Sequence, residues 1–265
     1  MNNPLQQTKT NIRIPLVNRK ALIIGSPGVY GSESYLKGVA VDLKNYTDFF
    51  RSPLGGSWRQ NEITVLQSPS KDSVINEIRA LKSAEYSIVI FSGHGYHDGA
   101  SNSTIVELSS SVSLDSKELK IGAPKHTLIL DCCRQVYTPK LMFEDLAKAM
   151  DKRAVQLSSD ECRRYYDKHI ADCANGIVTL YSCSVGESAL DDASRGGVYL
   201  SSLLKVATQW LDQSSVDTSK NWNKLTVVGA HDRAELLVKQ ESGNRQNPNI
   251  QKPREEPYFP FAVIA

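Results

Sequence analysis

The stretch Ser87-Ile88-Val89-Ile90-Phe91-Ser92-Gly93-His94-Gly95 joins an apolar run to a histidine that stands between two glycines. A short apolar run ending at such a turn is typical of a strand buried on both faces of a sheet. A second stretch has the same plan, because Thr127-Leu128-Ile129-Leu130 leads directly into Asp131-Cys132-Cys133-Arg134. The sequence therefore predicts two buried strands, one followed by a histidine and the other by a cysteine.

Further apolar runs surround these strands and alternate with segments of helical periodicity. Other strands are predicted at residues 21–25, 63–66, 176–182 and 259–264. Helices are predicted at residues 35–50, 70–83, 198–210 and 222–239. This alternation favours an α/β fold with a parallel sheet and right-handed crossovers, in which ligands bind at the carboxyl ends of the strands. Both chemical motifs follow such ends.

The composition argues against several classes of protein. The chain has 265 residues, of which 40% are hydrophobic and 23% charged, as in ordinary globular domains. A net charge of +2 gives no reason to expect a nucleic-acid or membrane partner, and no apolar run reaches the roughly 18 residues that span a bilayer. The five cysteines show no paired spacing, so no disulfide framework is expected. We therefore predict a cytoplasmic protein.

The chain shows no convincing internal domain boundary. Residues 1–18 are polar and without periodicity, which predicts a flexible N-terminal arm, and residues 19–265 are predicted to form one domain. Within that domain, residues 141–174 are rich in charge and helix formers. They are predicted to be a helical insertion on the surface. An alternative is a regulatory segment that the protein cleaves itself.

The cysteine and histidine motifs predict nucleophilic catalysis. A cysteine attacks as its thiolate, and His94 is the candidate base because imidazole titrates near neutral pH. The amides of Gly95 and of the nucleophile are the candidate oxyanion hole. Cys132 and Cys133 point to opposite sides of a strand, so only one can face His94, and the residues alone leave that choice open. A zinc site from His94, His97 and these cysteines is disfavoured, because adjacent cysteines chelate one ion poorly.

Ser92-Gly93-His94-Gly95 followed by Asp131-Cys132-Cys133-Arg134 resembles the catalytic pair of the caspase, paracaspase and metacaspase clan. The resemblance is to the bacterial metacaspase or orthocaspase type and covers most of the chain. It implies that Cys133 is the nucleophile, and that the fold is a caspase-like three-layer sandwich. Such a fold has a mostly parallel six-stranded sheet with helices on both faces. Gln135 departs from the family, in which caspases have Gly at this position and metacaspases usually Ser.

The resemblance also implies a substrate preference. In metacaspases the residue two before the nucleophile and acidic residues further on line a pocket for a basic side chain, which here implies Asp131 and Glu187. Two carboxylates favour Arg or Lys before the scissile bond. Alternatively, Asp131 has a structural role and accepts hydrogen bonds from loop amides. Asp specificity would instead require arginines such as Arg134 or Arg195, and small apolar specificity is a further option.

The predicted activity is that of a cysteine endopeptidase acting on protein or peptide substrates. The resemblance implies a role in regulated proteolysis or defence-linked cell death, in which a regulatory protein partner would fit. A catalytically silent caspase-like scaffold that binds a protein is the alternative from another class. No cofactor or metal is predicted. Some metacaspases require calcium, but the sequence has no recognisable calcium-loop signature.

Overall fold

The structure is a computed structural model, and it describes residues 16–134, 157–213 and 223–265. Predictions that concern residues 1–15, Gln135 and residues 141–156 lie outside the described residues. Val17 is buried and the Asn18 carbonyl accepts the amides of Glu85 and Tyr86. The predicted N-terminal arm is therefore part of the folded domain from residue 17 onward.

Strands and helices alternate along the chain. The strands are β1 (Arg19–Ser26), β2 (Ile63–Gln67), β3 (Tyr86–Gly93), β4 (Gly95–Asp98), β5 (Ser103–Ser109), β6 (Val112–Asp115), β7 (Lys125–Asp131), β8 (Gly176–Tyr181), β9 (Asp191–Asp192), β10 (Gly196–Gly197), β11 (Lys224–Thr226), β12 (Asn249–Gln251) and β13 (Pro260–Val263). The helices are α1 (Gly38–Arg51), α2 (Lys71–Leu81), α3 (Ser116–Leu119), α4 (Ser159–Asp172), α5 (Val198–Gln213) and α6 (Val227–Ser242), with a 3₁₀ turn at Gln60–Glu62.

The central sheet has six strands in the order β12-β8-β7-β3-β1-β2. All neighbouring pairs are parallel except β12 with β8, which is antiparallel. Residues of β3 are buried throughout, as expected of a parallel strand covered on both faces. The mostly parallel six-stranded sheet is thus confirmed.

Two apolar layers flank this sheet. One contains the inward side chains of α1, α4, α5 and α6, and the other contains those of α2, α3, β5 and β6. Strand β1 contributes Ile23 to the first layer and Leu22 and Ile24 to the second, because successive side chains of a strand point to opposite faces. The three-layer α/β sandwich with helices on both faces is confirmed.

The sixth strand of the sheet comes from an unexpected part of the chain. The predicted final strand exists as β13, but it pairs with β11 in a separate two-stranded sheet. The sixth central strand is β12, whose three residues carry too little pattern to be recognised in the sequence. Its antiparallel pairing with β8 closes one edge of the sheet.

Helix α4 forms the end of the predicted 141–174 insertion and packs against the core. Its Tyr166 and Ile170 are 0% exposed and lie in the first apolar layer. Of its charged side chains, Arg164 is exposed, whereas Arg163 and Asp167 are buried in ion pairs. The prediction of a surface segment is therefore wrong for α4, because part of its charge is neutralised internally.

A buried arginine connects α4 to the sheet. Arg19, at the start of β1, is 1% exposed, and its Nη1 lies 3.2 Å from Asp167 Oδ1. Its Nη2 donates to the carbonyl of Gly56 at 2.5 Å. The guanidinium also lies 4.6 Å from the ring centroid of Trp58 and 4.8 Å from that of Tyr166. A buried charge pair of this kind is costly to break, because the remaining partner is left in an apolar environment.

We expect Arg19→Ala to lower the free energy of unfolding by about 3–5 kcal/mol, because Asp167 would remain buried without this cation. Urea unfolding followed by far-UV circular dichroism measures the loss. The exposed Arg164 of α4 provides the control, and Arg164→Ala should change the free energy by less than about 0.5 kcal/mol. Equal effects of the two substitutions would contradict the structural role of Arg19.

Candidate active site

The pairing of β3 with β7 brings the two sequence motifs together. Ser92 lies opposite Asp131 in this parallel register, and His94 and Cys133 each follow two residues further on. Because the carboxyl ends of parallel strands meet at one edge of a sheet, both side chains are delivered to the same edge. Strand alternation places each on the same face as the paired residue before it.

The two adjacent cysteines have different environments. Cys132 is 1% exposed and packs in the second apolar layer, where burial raises the pKa of its thiol well above the usual value. Cys133 is partly exposed, and its Sγ donates to the carbonyl of Ala189 at 3.8 Å. Burial also raises the pKa of Cys133. Only Cys133 is thus open to a substrate, and it rests as a thiol.

The imidazole of His94 is oriented by the loop that follows β1. Its Nε2 lies 2.7 Å from the carbonyl oxygen of Ser34. A carbonyl only accepts, so Nε2 carries the hydrogen and Nδ1 keeps a lone pair that can take a proton. Gly28 packs against the ring with φ of +91°, and a Cβ there would lie 3.0 Å from Nε2. No pattern in the sequence indicates this carbonyl contact.

No hydrogen bond joins Cys133 Sγ to the His94 ring among the described residues. The sulfur bonds to Ala189 and the ring to Ser34 instead. Catalytic hydrogen bonds are often long or poorly aligned before substrate binds, so this arrangement is compatible with proton transfer in a complex. Substrate binding would have to release the thiol from Ala189.

The two predicted oxyanion amides, of Gly95 and Cys133, are not donors in the hydrogen bonds of the described residues. The Glu107 amide donates to the His94 carbonyl, so the next pair of this antiparallel ladder, Gly95 with Val106, is not hydrogen-bonded. The Gly95 amide therefore points away from β5. Within the described parts of the chain, the Cys133 amide donates no backbone hydrogen bond.

Asp131 lies beneath this edge, together with a second carboxylate that the sequence analysis missed. Asp131 is 5% exposed and Asp42, on α1, is 2% exposed. Asp131 Oδ2 accepts the amide of Leu200 at 3.2 Å, and Asp42 accepts the amide of Gly197 at 3.1 Å. Asp42 Oδ2 also accepts the Ser92 hydroxyl at 2.6 Å. The missed signal was an aspartate on the apolar face of a helix.

These carboxylates are buried without a cation. No lysine or arginine in the described segments forms an ion pair with Asp42 or Asp131. Burial raises the pKa of Asp131 to about 7, and burial together with Asp131 raises the pKa of Asp42 well above its usual range. Gly197 lies between them, because a Cβ there would stand 2.1 Å from Asp131 Oδ2. The two carboxyls are thus buried close together, and burial favours their neutral forms.

Glu187, the second predicted pocket residue, lies beside the cysteine motif, where its carbonyl accepts the Arg134 amide, but its carboxylate is bound within its own loop. Its Oε2 accepts the amides of Ser184 and Asn247, and its Oε1 accepts the Asn247 side-chain amide at 2.7 Å. The carboxylate is occupied in stabilising its own loop. These contacts give no support to Glu187 as a pocket residue, and the carboxyl that lies near Asp131 is that of Asp42.

The arginines considered for Asp specificity do not reach the Asp42–Asp131 pair. Arg195 lies 2.6 Å from Glu241 and 3.8 Å from Asp192. Arg134 donates to Thr104 and to the carbonyl of Cys183, on the face of the sheet opposite Cys133. Neither guanidinium contacts the carboxylates beneath the site.

No group of three or more His, Cys, Asp or Glu side chains in the described residues is arranged to hold a metal ion. Among the helices that the structure describes, none has the length and apolar character required to cross a bilayer.

The fold and this edge define an α/β protein with a cysteine and a histidine at the carboxyl ends of neighbouring parallel strands. The family model of the caspase domain, a peptidase family, matches residues 18–259. The chain therefore belongs to the caspase-domain family of cysteine peptidases. A search of curated proteins finds no match. The resemblance drawn from the two motifs is confirmed at the level of the family.

Proposed function

We propose that the protein is a cysteine endopeptidase in which Cys133 is the nucleophile and His94 the base. The observation that carries this proposal is the register of β3 with β7, which delivers the partly exposed Cys133 and His94 to one edge. Membership of a cysteine peptidase family supports it. The test is covalent labelling by a peptidyl electrophile, which Cys133→Ala should abolish.

The proposed reaction uses groups of this chain alone. His94 Nδ1 takes the Cys133 proton, and the thiolate attacks the carbonyl carbon of the scissile bond. The amides of Gly95 and Cys133 stabilise the oxyanion of the tetrahedral intermediate. The C–N bond then breaks, and His94 returns the proton to the leaving amine. Water, activated by His94, hydrolyses the thioester and restores the thiol.

We propose further that the residue before the scissile bond is Arg or Lys, as in the metacaspase and orthocaspase type. The support is the buried pair Asp42 and Asp131, which has no cation in the described residues. A guanidinium or ammonium entering beside them would neutralise charge that is costly to bury alone. The Ser34 carbonyl and the buried carboxylates thus have separate roles, the first orienting His94 and the others binding substrate.

This pocket predicts a pH dependence of binding. Because the pKa of Asp131 is about 7, the carboxyl is largely protonated at pH 6 and ionised at pH 8. Binding of a cationic side chain favours the ionised form, so affinity for an Arg peptide should rise from pH 6 to pH 8, by up to about tenfold per pH unit. Titration calorimetry of uncleaved Arg peptides with the Cys133→Ala variant measures this without turnover.

The same peptide with citrulline in place of arginine is the matched control. Citrulline has nearly the same shape but no charge, so its affinity should change little with pH. The stability of the peptide-free protein should show the opposite pH dependence, falling where the affinity for the Arg peptide rises. Since the folded pKa of Asp131 exceeds the usual value of 3.8, its contribution to stability falls as pH rises from about 4 to 7. An equal pH response of both peptides would contradict the pocket.

One profile of substrate preference distinguishes the alternative functions. Asp specificity and small apolar specificity are tested with a peptide library in which only the residue before the scissile bond varies. A preference for Arg and Lys is expected. A preference for Asp would overturn the acidic pocket, and absence of any cleavage together with absence of labelling would favour the protein-binding scaffold.

The cellular setting is also a proposal. All five cysteines are free thiols, which supports a reducing, cytoplasmic environment. A role in regulated proteolysis or defence-linked cell death, with a regulatory protein partner, follows from the family resemblance. Thiol labelling of the protein in intact cells, before and after permeabilisation, tests the compartment.

A further inference from the structure

A polar cavity lies on the opposite face of the sheet from Cys133. It is about 410 Å³ in volume and is enclosed by β4, β5, α3 and the ends of β8 and β12. Its lining includes Arg134, Lys117, Lys120 and His97, and no Asp or Glu is among the described residues that line it. Asp115, outside the lining, lies 4.0 Å from the Lys117 ammonium. The volume is that of a small-molecule site.

Arg134 is the most deeply placed of these cations. It is 8% exposed, and its guanidinium lies 4.1 Å from the ring centroid of Tyr181. Nε donates to Thr104 Oγ1 at 3.0 Å and Nη1 donates to the Cys183 carbonyl at 3.1 Å. These partners are neutral, and no carboxylate within the described ranges lies within 4.0 Å of the guanidinium. A buried cation without an anion is unfavourable, so an anionic ligand would stabilise it.

The remaining groups add positive charge and, within the described residues, an imidazole nitrogen without a hydrogen-bond partner. Lys120 Nζ donates to Gln251 Oε1 at 3.0 Å, and the same oxygen accepts the Tyr181 hydroxyl at 3.2 Å. His97 is 8% exposed, and its Nδ1 is buried without a hydrogen-bond partner among the described residues. The cavity thus offers several donors and no competing carboxylate on its lining.

We propose that this cavity binds the phosphate group of a small phosphorylated molecule. Three basic side chains in one cavity fit a group that carries about two charges and several acceptor oxygens, and the planar guanidinium of Arg134 matches two of those oxygens. Lys117 and Lys120 supply the remaining charge. A single carboxylate would leave part of this charge uncompensated.

The site is connected to the nucleophile through the backbone of Arg134. This residue directly follows Cys133, and its amide donates to the Glu187 carbonyl at 2.9 Å while its carbonyl accepts the Gly186 amide at 2.9 Å. The same loop continues to Ala189, whose carbonyl holds the Cys133 thiol. A ligand that fixes Arg134 therefore alters the reactivity of Cys133, a coupling that rests on the proposed role of that residue.

Calorimetric titration of the full chain with inorganic phosphate, tripolyphosphate and ADP tests binding, with sulfate as the non-phosphate anion at matched ionic strength. The Lys117→Gln/Lys120→Gln variant should bind at least roughly tenfold more weakly. Lys44→Gln/Lys71→Gln removes the same charge from exposed lysines of α1 and α2 and should bind as the wild type. Tighter binding of ADP than of phosphate indicates an organic ligand, and equal binding indicates free phosphate.

Three results would overturn the site: no binding of any phosphate probe, equal binding by the Lys117→Gln/Lys120→Gln variant, or equal binding of sulfate. The coupling is read from the rate of Cys133 alkylation by iodoacetamide, with Cys133→Ala as background. A saturating probe should change this rate about fivefold in the wild type and leave the Lys117→Gln/Lys120→Gln variant unchanged. Binding without a change in rate would refute the coupling. Binding by a protein that cleaves no peptide would refute only the peptidase.

Discussion

Cys133→Ala is expected to abolish peptide hydrolysis, with kcat/KM falling by at least about four orders of magnitude. The variant should also lose all covalent labelling by a peptidyl electrophile such as an arginyl chloromethyl ketone. The physical reason is that Cys133 is the partly exposed cysteine at the carboxyl edge of β7, on the face it shares with His94. Intact-protein mass spectrometry after labelling, together with steady-state kinetics, measures both effects.

The adjacent cysteine is the matched control. Cys132 is 1% exposed in an apolar layer, so Cys132→Ala should keep both labelling and most of the activity while losing about 1 kcal/mol of stability. Labelling that persists in Cys133→Ala and disappears in Cys132→Ala would reverse the assignment. If the two variants and the wild type all remain unlabelled, a protein-binding scaffold would be favoured.

Asp131→Asn and Asp42→Asn are expected to lower kcat/KM for Arg substrates by about a hundredfold or more each. Removing one member of a buried charge pair between enzyme and substrate costs about 2–5 kcal/mol, because the substrate cation is then left poorly compensated. The ratio of kcat/KM for Arg over citrulline peptides isolates this charge effect from changes in the catalytic groups. That ratio should fall for both variants, whereas cleavage of the citrulline peptide should change little.

Two controls separate substrate binding from folding. Burial raises the pKa of both carboxyls, so a neutral amide should leave the free energy of unfolding at pH 8 unchanged or higher. Glu187→Gln alters a carboxylate held by Ser184 and Asn247, so the Arg over citrulline ratio should stay at the wild-type value. A ratio that falls in Glu187→Gln and not in Asp42→Asn would restore the pocket inferred from the sequence.

Much of the fold was predictable because its signals are local. The apolar runs that became β1, β3 and β7 are continuous, and a strand buried on both faces needs no partner to be recognised. The exceptions were short or depended on distant contacts. Strand β12 has three residues, and α4 looked like a surface helix because Arg163 and Asp167 are charged, although Arg19 and Glu62 compensate them in the folded chain.

The candidate site likewise combines residues with local sequence signals and residues whose placement depends on distant contacts. His94 and Gly95 were proposed from a short motif after a predicted strand, and Cys133 and Asp131 from the family resemblance. Asp42 was not considered, because it comes near the site through a contact with Gly197, which lies 155 residues further along the chain. Glu187 was assigned to the pocket from the resemblance to metacaspases, whereas its carboxylate turns to Asn247. Spacing along the chain does not give the direction of a side chain.

The sequence by itself determined the α/β class, the parallel sheet and the chemistry delivered to its edge, because apolar runs and strand-end motifs are written within a few neighbouring residues. Only the tertiary structure decided which of two adjacent cysteines is accessible, which carboxylates lie together and where Arg134 points. These outcomes follow from the register of β3 with β7 and from the packing of α1 against β10, which bring distant segments into contact. Such contacts leave no periodicity in the sequence.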